Sequence, residues 1–209
     1  MNYWREFLTL VVAHGLAVAS PGPDFAIVVK QSLAHGRRAA VWTSVGIGCG
    51  LSIHVTYCVL GLGYLLKESA LALTVVKFLG AAYLAYLGLL ALRAQPRTTE
   101  LEPAVPTTAP SDRAAWSTGF LVNVLNPKVA LFFIALFPLA VSATTPKLIQ
   151  VGYGAWMTGA TIAWFSFVAF MFTREAVRRK FLRFSHWIDR ALGLVFLGFA
   201  VSLALANVH

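Results

Sequence analysis

Asp24 and Lys128 stand where charge is expensive. Asp24 follows Pro21, Gly22 and Pro23 in the middle of one apolar segment, and Lys128 follows Asn126 and Pro127 in the middle of another. A charge at the centre of a membrane helix costs about 2.5–3.5 kcal/mol on insertion scales, so such residues usually face a cavity or a partner. The prolines carry no N–H and break a helix, which frees carbonyls on one side of the break. The half-helix that follows presents unpaired N–H groups and the positive end of its dipole. Together these groups suit a zwitterion, with Asp24 for an ammonium and Lys128 and the half-helix N–H groups for a carboxylate. A buried Asp24 can also hold a coupling proton. A plainer reading stands beside this one: Asp24 caps its half-helix, and Lys128 pairs with it or reaches out to water.

Other polar residues sit near these breaks. Asn123 and Asn126 flank the second; an amide donates and accepts, which suits a polar substrate, although Asn126 could serve only as a cap. His54 and His14 are candidates for proton relay, against the simpler role of hydrogen-bonding helix to helix. Gly46, Gly48 and Gly50 read as sites of close helix packing, and Tyr153 and Trp156 as core aromatics or cavity lining. No Cys/His cluster has metal-ligand spacing and no cofactor motif is visible.

The elements that must position these residues are membrane helices. The chain is 58% hydrophobic and 12% charged, where soluble domains run about 25% charged. Residues 39–66 and 148–173 contain no Asp, Glu, Lys or Arg. Each run exceeds the roughly 20 residues needed to cross hydrocarbon, which excludes a globular enzyme. The net charge of +9 reflects cations in short loops that meet anionic headgroups, not a nucleic-acid surface. Ala17-Val18-Ala19 resembles a cleavage site, but the preceding segment lacks a positive bias, so the first helix is expected to stay.

The expected fold is an all-α polytopic membrane protein with six crossings: residues 3–35 (broken at 21–23), 38–66, 69–93, 114–141 (broken at 126–127), 146–173 and 189–208. Residues 94–113, with Pro96, Pro103, Pro106 and Pro110, read as a polar linker. The single membrane domain thus divides into a three-helix repeat over 1–93, a cytoplasmic linker over 94–113, and a second repeat over 114–209. Pro21 and Pro127 are 106 residues apart, and the same offset carries Val45-Gly46-Ile47-Gly48 onto Val151-Gly152-Tyr153-Gly154. Gly88 and Gly198 align more weakly. Three crossings per half make the repeat inverted in topology, and matched broken helices are the best pointer to a transporter site. Lys and Arg concentrate in loops one, three and five, which places those loops in the cytoplasm and both termini outside.

The motif residues resemble a known family. Ser20-Pro21-Gly22-Pro23-Asp24-Phe25, with Gln31-Ser32-Leu33-Ala34-His35-Gly36-Arg37-Arg38-Ala39, is similar to the first signature of the LysE/RhtB amino-acid exporters. Residues 119–133, from Gly119-Phe120 through Asn123 and Asn126-Pro127-Lys128 to Phe132-Phe133, resemble the second. The resemblance covers essentially the whole chain. It implies a bacterial inner-membrane secondary exporter of amino acids or derivatives (threonine, homoserine, leucine or lysine among the family's substrates), driven by the proton gradient. It matches Pro21, Gly22, Pro23, Asp24, Asn123, Asn126, Pro127 and Lys128 as the substrate-binding set, with Asp24 and His54 as proton-relay candidates. Phe137-Pro138-Leu139 departs from the pattern, which has Gln after the proline. With one intramembrane carboxylate evident, a neutral substrate is favoured. The expected partners are the amino acid, protons and membrane lipids, with a homodimer as a possible assembly.

Two other classes compete. A non-transporting scaffold subunit gives no reason for matched breaks. A thiol-disulfide electron carrier needs cysteines beside both broken helices, whereas Cys49 and Cys58 share one helix about 13 Å apart, too far to bridge.

Overall fold

The computed structural model describes residues 2–20, 22–62, 70–95, 108–142, 144–173 and 175–205. Among these residues the regular structure is entirely helical: α1 (Tyr3–Ala19), α2 (Pro23–Tyr57, continued by a π turn Cys58–Leu62), α3 (Ala70–Leu92), α4 (Asp112–Val124), α5 (Pro127–Ala140), α6 (Lys147–Phe172) and α7 (Glu175–Leu205).

Both expected breaks are present. α1 closes with the Ser20 N–H on the Leu16 carbonyl at 3.1 Å, and α2 opens with Pro23 in its first turn. Pro21 lies outside the described residues. α4 ends at Val124, α5 begins at Pro127, and the two are bent by 52°. Proline suits a first turn because the N–H it lacks would have no intrahelical partner there.

α2 is two helical segments, since Gly36 sits at φ 79° and ψ −176°. A Cβ at Gly36 would meet nothing within 4 Å, so a side chain there is resisted by backbone conformation alone. Gly36→Ala is expected to cost about 1–2 kcal/mol, the left-handed penalty of an L-residue. A lower melting temperature in detergent checks it; an unchanged melt would show that the turn is not held at positive φ.

Outward faces are apolar: Leu125 is 75% exposed and Leu148 83%. Buried positions include Thr43, Asn123, His54 and Thr161. A surface this apolar over polar interior groups fits hydrocarbon as solvent, where every polar group must find a partner inside. Among the described residues, helices α2 (to Leu60) and α6 are long and apolar enough to span a membrane, and the bent pair α4–α5 (to Ile134) passes the same test only when its two parts are taken together; the segment Lys77–Leu92 of α3 is apolar but shorter.

One detail differs from the sequence reading. The last helix begins at Glu175, not near residue 189, because 175–190 holds no Gly or Pro and is rich in good helix formers; hydropathy sees only its apolar end. The tight approach of α3 to α7 uses Gly88 and Gly193. A Cβ on Gly88 would lie 2.9 Å from the Gly193 carbonyl and one on Gly193 2.8 Å from the Gly88 carbonyl, whereas Gly198 faces open space.

Polar contacts fasten both ends. Glu6 of α1 accepts from the Ser142 N–H (3.1 Å) and the Thr145 hydroxyl (2.9 Å) in the α5–α6 turn. Arg38 of α2 donates two bonds to Asp112 of α4 at 2.9 and 2.8 Å. Arg38 is well exposed, so water and salt screen this pair and it fastens the end only weakly.

Candidate functional site

The two breaks meet. Asp24, in the first turn of α2, is 8% exposed and receives both of its hydrogen bonds from the second break. Asn123 Nδ2 donates to Asp24 Oδ2 at 2.8 Å, and Asn126 Nδ2 donates to Oδ1 at 3.2 Å. The N-cap position of α2 belongs to Gly22, which has no side chain to bond; Asp24 therefore does not cap its half-helix but reaches across to the other half.

Asn126 does two jobs at once. Its Oδ1 accepts from the Lys128 N–H at 3.0 Å and caps α5, while its Nδ2 holds Asp24. The cap expected of Asn126 is present, and the same side chain also lines the cavity. Lys128 folds back over the first break, and its Nζ donates to the Ser20 carbonyl at 3.2 Å, an acceptor next to a proline that has no N–H to offer. The ammonium and the carboxylate thus sit on the same pair of breaks, with asparagine amides as the direct partners of Asp24.

His54 stands one layer behind. Its Nε2 faces the Asn123 carbonyl at 3.1 Å, and its Nδ1 lies 3.0 Å from the Tyr57 hydroxyl. Tyr57 donates to the Ala130 carbonyl at 3.1 Å. A carbonyl only accepts, so Nε2 carries a hydrogen, and Tyr57 has one hydrogen for two neighbours. All three contacts are hydrogen bonds together only when Nδ1 also carries a hydrogen, that is, in the imidazolium form. With a neutral ring, Tyr57 must leave either Ala130 or His54. The group bridges the second break, because Asn123 ends α4 and Ala130 lies in α5.

A small cavity, with about 40 Å³ open to the centre of a water-sized sphere, lies between the breaks, lined by Gly22, Asp24, Asn123, Asn126 and Lys128. Pro23 and Pro127 set the helix starts and are not among its lining residues. Rings of Phe25, Phe132, Phe133, Phe165 and Phe196 make most of the remaining wall. Asn123 Oδ1 is buried and has no hydrogen-bond partner in the structure. An acceptor so placed favours a ligand that brings a donor, since an unsatisfied buried polar group costs about 1–3 kcal/mol.

Two further polar residues reach the same cavity from other helices. His14 of α1 and Thr161 of α6 place Nε2 and Oγ1 3.0 Å apart. Thr161, Tyr57 and the Ser20 carbonyl were not singled out by sequence. Tyr57 was legible in principle, because His54 and Tyr57 are three apart on one helix and so share a face. Thr161 carried no local signal. Tyr153 turns away from the cavity, stacks on Phe7 and donates to the Tyr3 carbonyl at 2.8 Å. Cys49 and Cys58 are unbridged, and neither lines the cavity.

Known proteins match the chain over nearly its whole length. A family model described as LysE type translocator matches residues 16–207. The threonine efflux protein of Escherichia coli K12 is 31% identical over 202 residues, covering 96% of this chain and 98% of that protein. An uncharacterized membrane protein of Bacillus subtilis, YrhP, is 26% identical over 211 residues, covering 97% and 100%. No solved structure matches the chain.

Proposed function

The chain belongs to the LysE type translocator family, and from that premise we propose that it exports neutral amino acids or close derivatives, of the threonine, homoserine or leucine kind, out of a bacterial cell. It is a transporter, not an enzyme. One observation carries the substrate class: a single buried cavity where Asp24, Lys128 and two half-helix N-termini converge. An α-amino acid brings an ammonium for Asp24, and a carboxylate for Lys128 and the N-terminal end of α2. Gly22, Asn126 and the flanking prolines shape that seat. The threonine efflux protein is similar along its whole length, which favours a small neutral substrate.

Export is proton-coupled in this reading, with Asp24 as the exchanging carboxylate and His54 as the second proton position. The hydrogen count at His54 supports it, because proton gain there lets Tyr57 brace both halves of the broken helix. Alternating access comes from rocking of two inverted three-helix repeats in the inner membrane, with both termini outside. One contact supports an axis between the halves: Ser52 and Thr158, separated by the repeat offset of 106, lie 3.1 Å apart. In such a cycle the Glu6 clasp closes the outer end and Arg38–Asp112 the inner end.

Proteoliposomes preloaded with labelled amino acids test this. Release of threonine or homoserine should accelerate when an inward proton gradient is imposed, and expression in a bacterial host should raise resistance to inhibitory amino-acid analogues. Correctly inserted protein that releases no amino acid, with or without a gradient, refutes the export reading.

A further inference from the structure

We propose that His14 and Thr161 form the side-chain subsite of the cavity, where a substrate hydroxyl is told from a methyl of the same size. The inference rests on the export reading above. The polar side chains lining the cavity fall into two groups. One group belongs to the breaks and has partners there: Asp24, Asn123, Asn126 and Lys128, the last bonded to the Ser20 carbonyl. The other is His14 with Thr161, and the rest of the lining is apolar. The pair ties α1 to α6, where His14 also bonds the Met157 backbone, and both side chains line the cavity. His14 is 2% exposed and Thr161 1%, so each is held by packing rather than by water.

The spacing fits a short substrate. Six residues of α1 separate His14 from Ser20, about 9 Å along the helix at 1.5 Å per residue. A small amino acid with a hydrogen bond of about 3 Å at each end spans that length. With its ammonium and carboxylate held at the breaks, its side chain points along α1 toward His14 and Thr161.

The chemistry of the pair sets the kind of selection. Imidazole and a threonine hydroxyl can each donate and accept. A β-hydroxyl that parts the pair from 3.0 Å accepts one bond and donates another in place of the one they share, a net gain of one. A methyl leaves the pair bonded to itself and gains nothing. Selection is therefore positive and moderate, about tenfold for one net neutral hydrogen bond. A purely apolar pocket has no such preference for the hydroxyl. Threonine and valine are the natural comparison, since they differ by one hydroxyl in place of one methyl.

The test is efflux of labelled threonine and of labelled valine from proteoliposomes of the full chain. Wild type should favour threonine. Thr161→Val should cut the threonine-to-valine ratio about tenfold, the loss of one hydrogen bond. Thr161→Ser keeps the hydroxyl and should keep the ratio. His14→Phe should lower the ratio from the opposite helix, and it carries the test if Thr161→Val does not fold. A ratio unmoved in the folded variants overturns the proposal. So does an equal fall in both rates, which marks a helix clamp, and so does a wild type that moves both substrates alike. A wild type that moves no amino acid overturns this proposal and the export reading together; amino-acid export with an unmoved ratio overturns this one alone.

Discussion

Asp24→Asn is expected to lower gradient-driven amino-acid release about 100-fold, or ~2.7 kcal/mol at 1.36 kcal/mol per decade, while the protein still inserts and folds. The side chain keeps its size, so packing around Phe25 and Asn123 is spared. Its charge and its symmetry are lost. Asp24 accepts from two amide nitrogens, one at each oxygen. An asparagine there has one oxygen, so one of those donors faces another NH2 group. Hydrogen bonds to a charged group contribute about 1.5–3 kcal/mol each, and one of the two can be rebuilt only as a neutral bond. The substrate ammonium loses its counter-charge and the exchangeable proton loses its carrier. Two measurements separate the effects: rate under an imposed proton gradient, and melting temperature in detergent. Release at the wild-type rate would remove Asp24 from both roles. A collapse of the melt in step with the rate would make it a structural residue.

Gly46→Val and Gly119→Val are expected to prevent accumulation of folded protein. Here α2 and α4 approach backbone to backbone. A Cβ on Gly46 would overlap the Trp116 carbonyl oxygen and lie 2.8 Å from the Phe120 nitrogen, and a Cβ on Gly119 would overlap the Thr43 carbonyl oxygen. Backbone atoms cannot rotate away as a side-chain tip can, so the helices must part. Parting them breaks the bond from the Thr43 hydroxyl to the Ala115 carbonyl and moves Asn123, which sits one turn beyond Gly119 on the same helix. Overpacking by a methylene or two costs about 1–3 kcal/mol in adaptable cores, and valine against rigid backbone is at or beyond the top of that range. Gly159→Val is the control, because a Cβ there meets nothing within 4 Å. Detergent-solubilised yield and melting temperature give the readout. Equal behaviour of Gly46→Val and Gly159→Val would show that the close approach is not used.

The sequence showed the site more clearly than the fold around it. Proline breaks are local events, so Pro23 and Asn126-Pro127 could be read directly. Charge in an apolar run is also local, which made Asp24 and Lys128 stand out. What joins them is not local. Asp24 could pair with Lys128 on sequence grounds, and only the geometry shows two amides as its direct partners. Thr161 is an unremarkable polar residue in an apolar helix until α1 brings His14 beside it. The early start of α7 was hidden because a basic helical turn looks like a loop when hydropathy is the guide. The packing of Gly88 on Gly193 was not legible either, since facing residues depend on how two helices cross.

The amide partners of Asp24 lie 99 and 102 residues further along the chain. At about 5–20 residues per second of synthesis, that is roughly 5–20 s in which the carboxylate is already in the bilayer and its asparagines do not yet exist. During that interval the aspartate is kept by a proton, by water at the open helix end, or by the insertion machinery. The first half therefore enters the membrane before it can finish folding. Its most expensive group is settled only by the second half, and a chain severed at the linker would leave each half with polar groups it cannot satisfy alone.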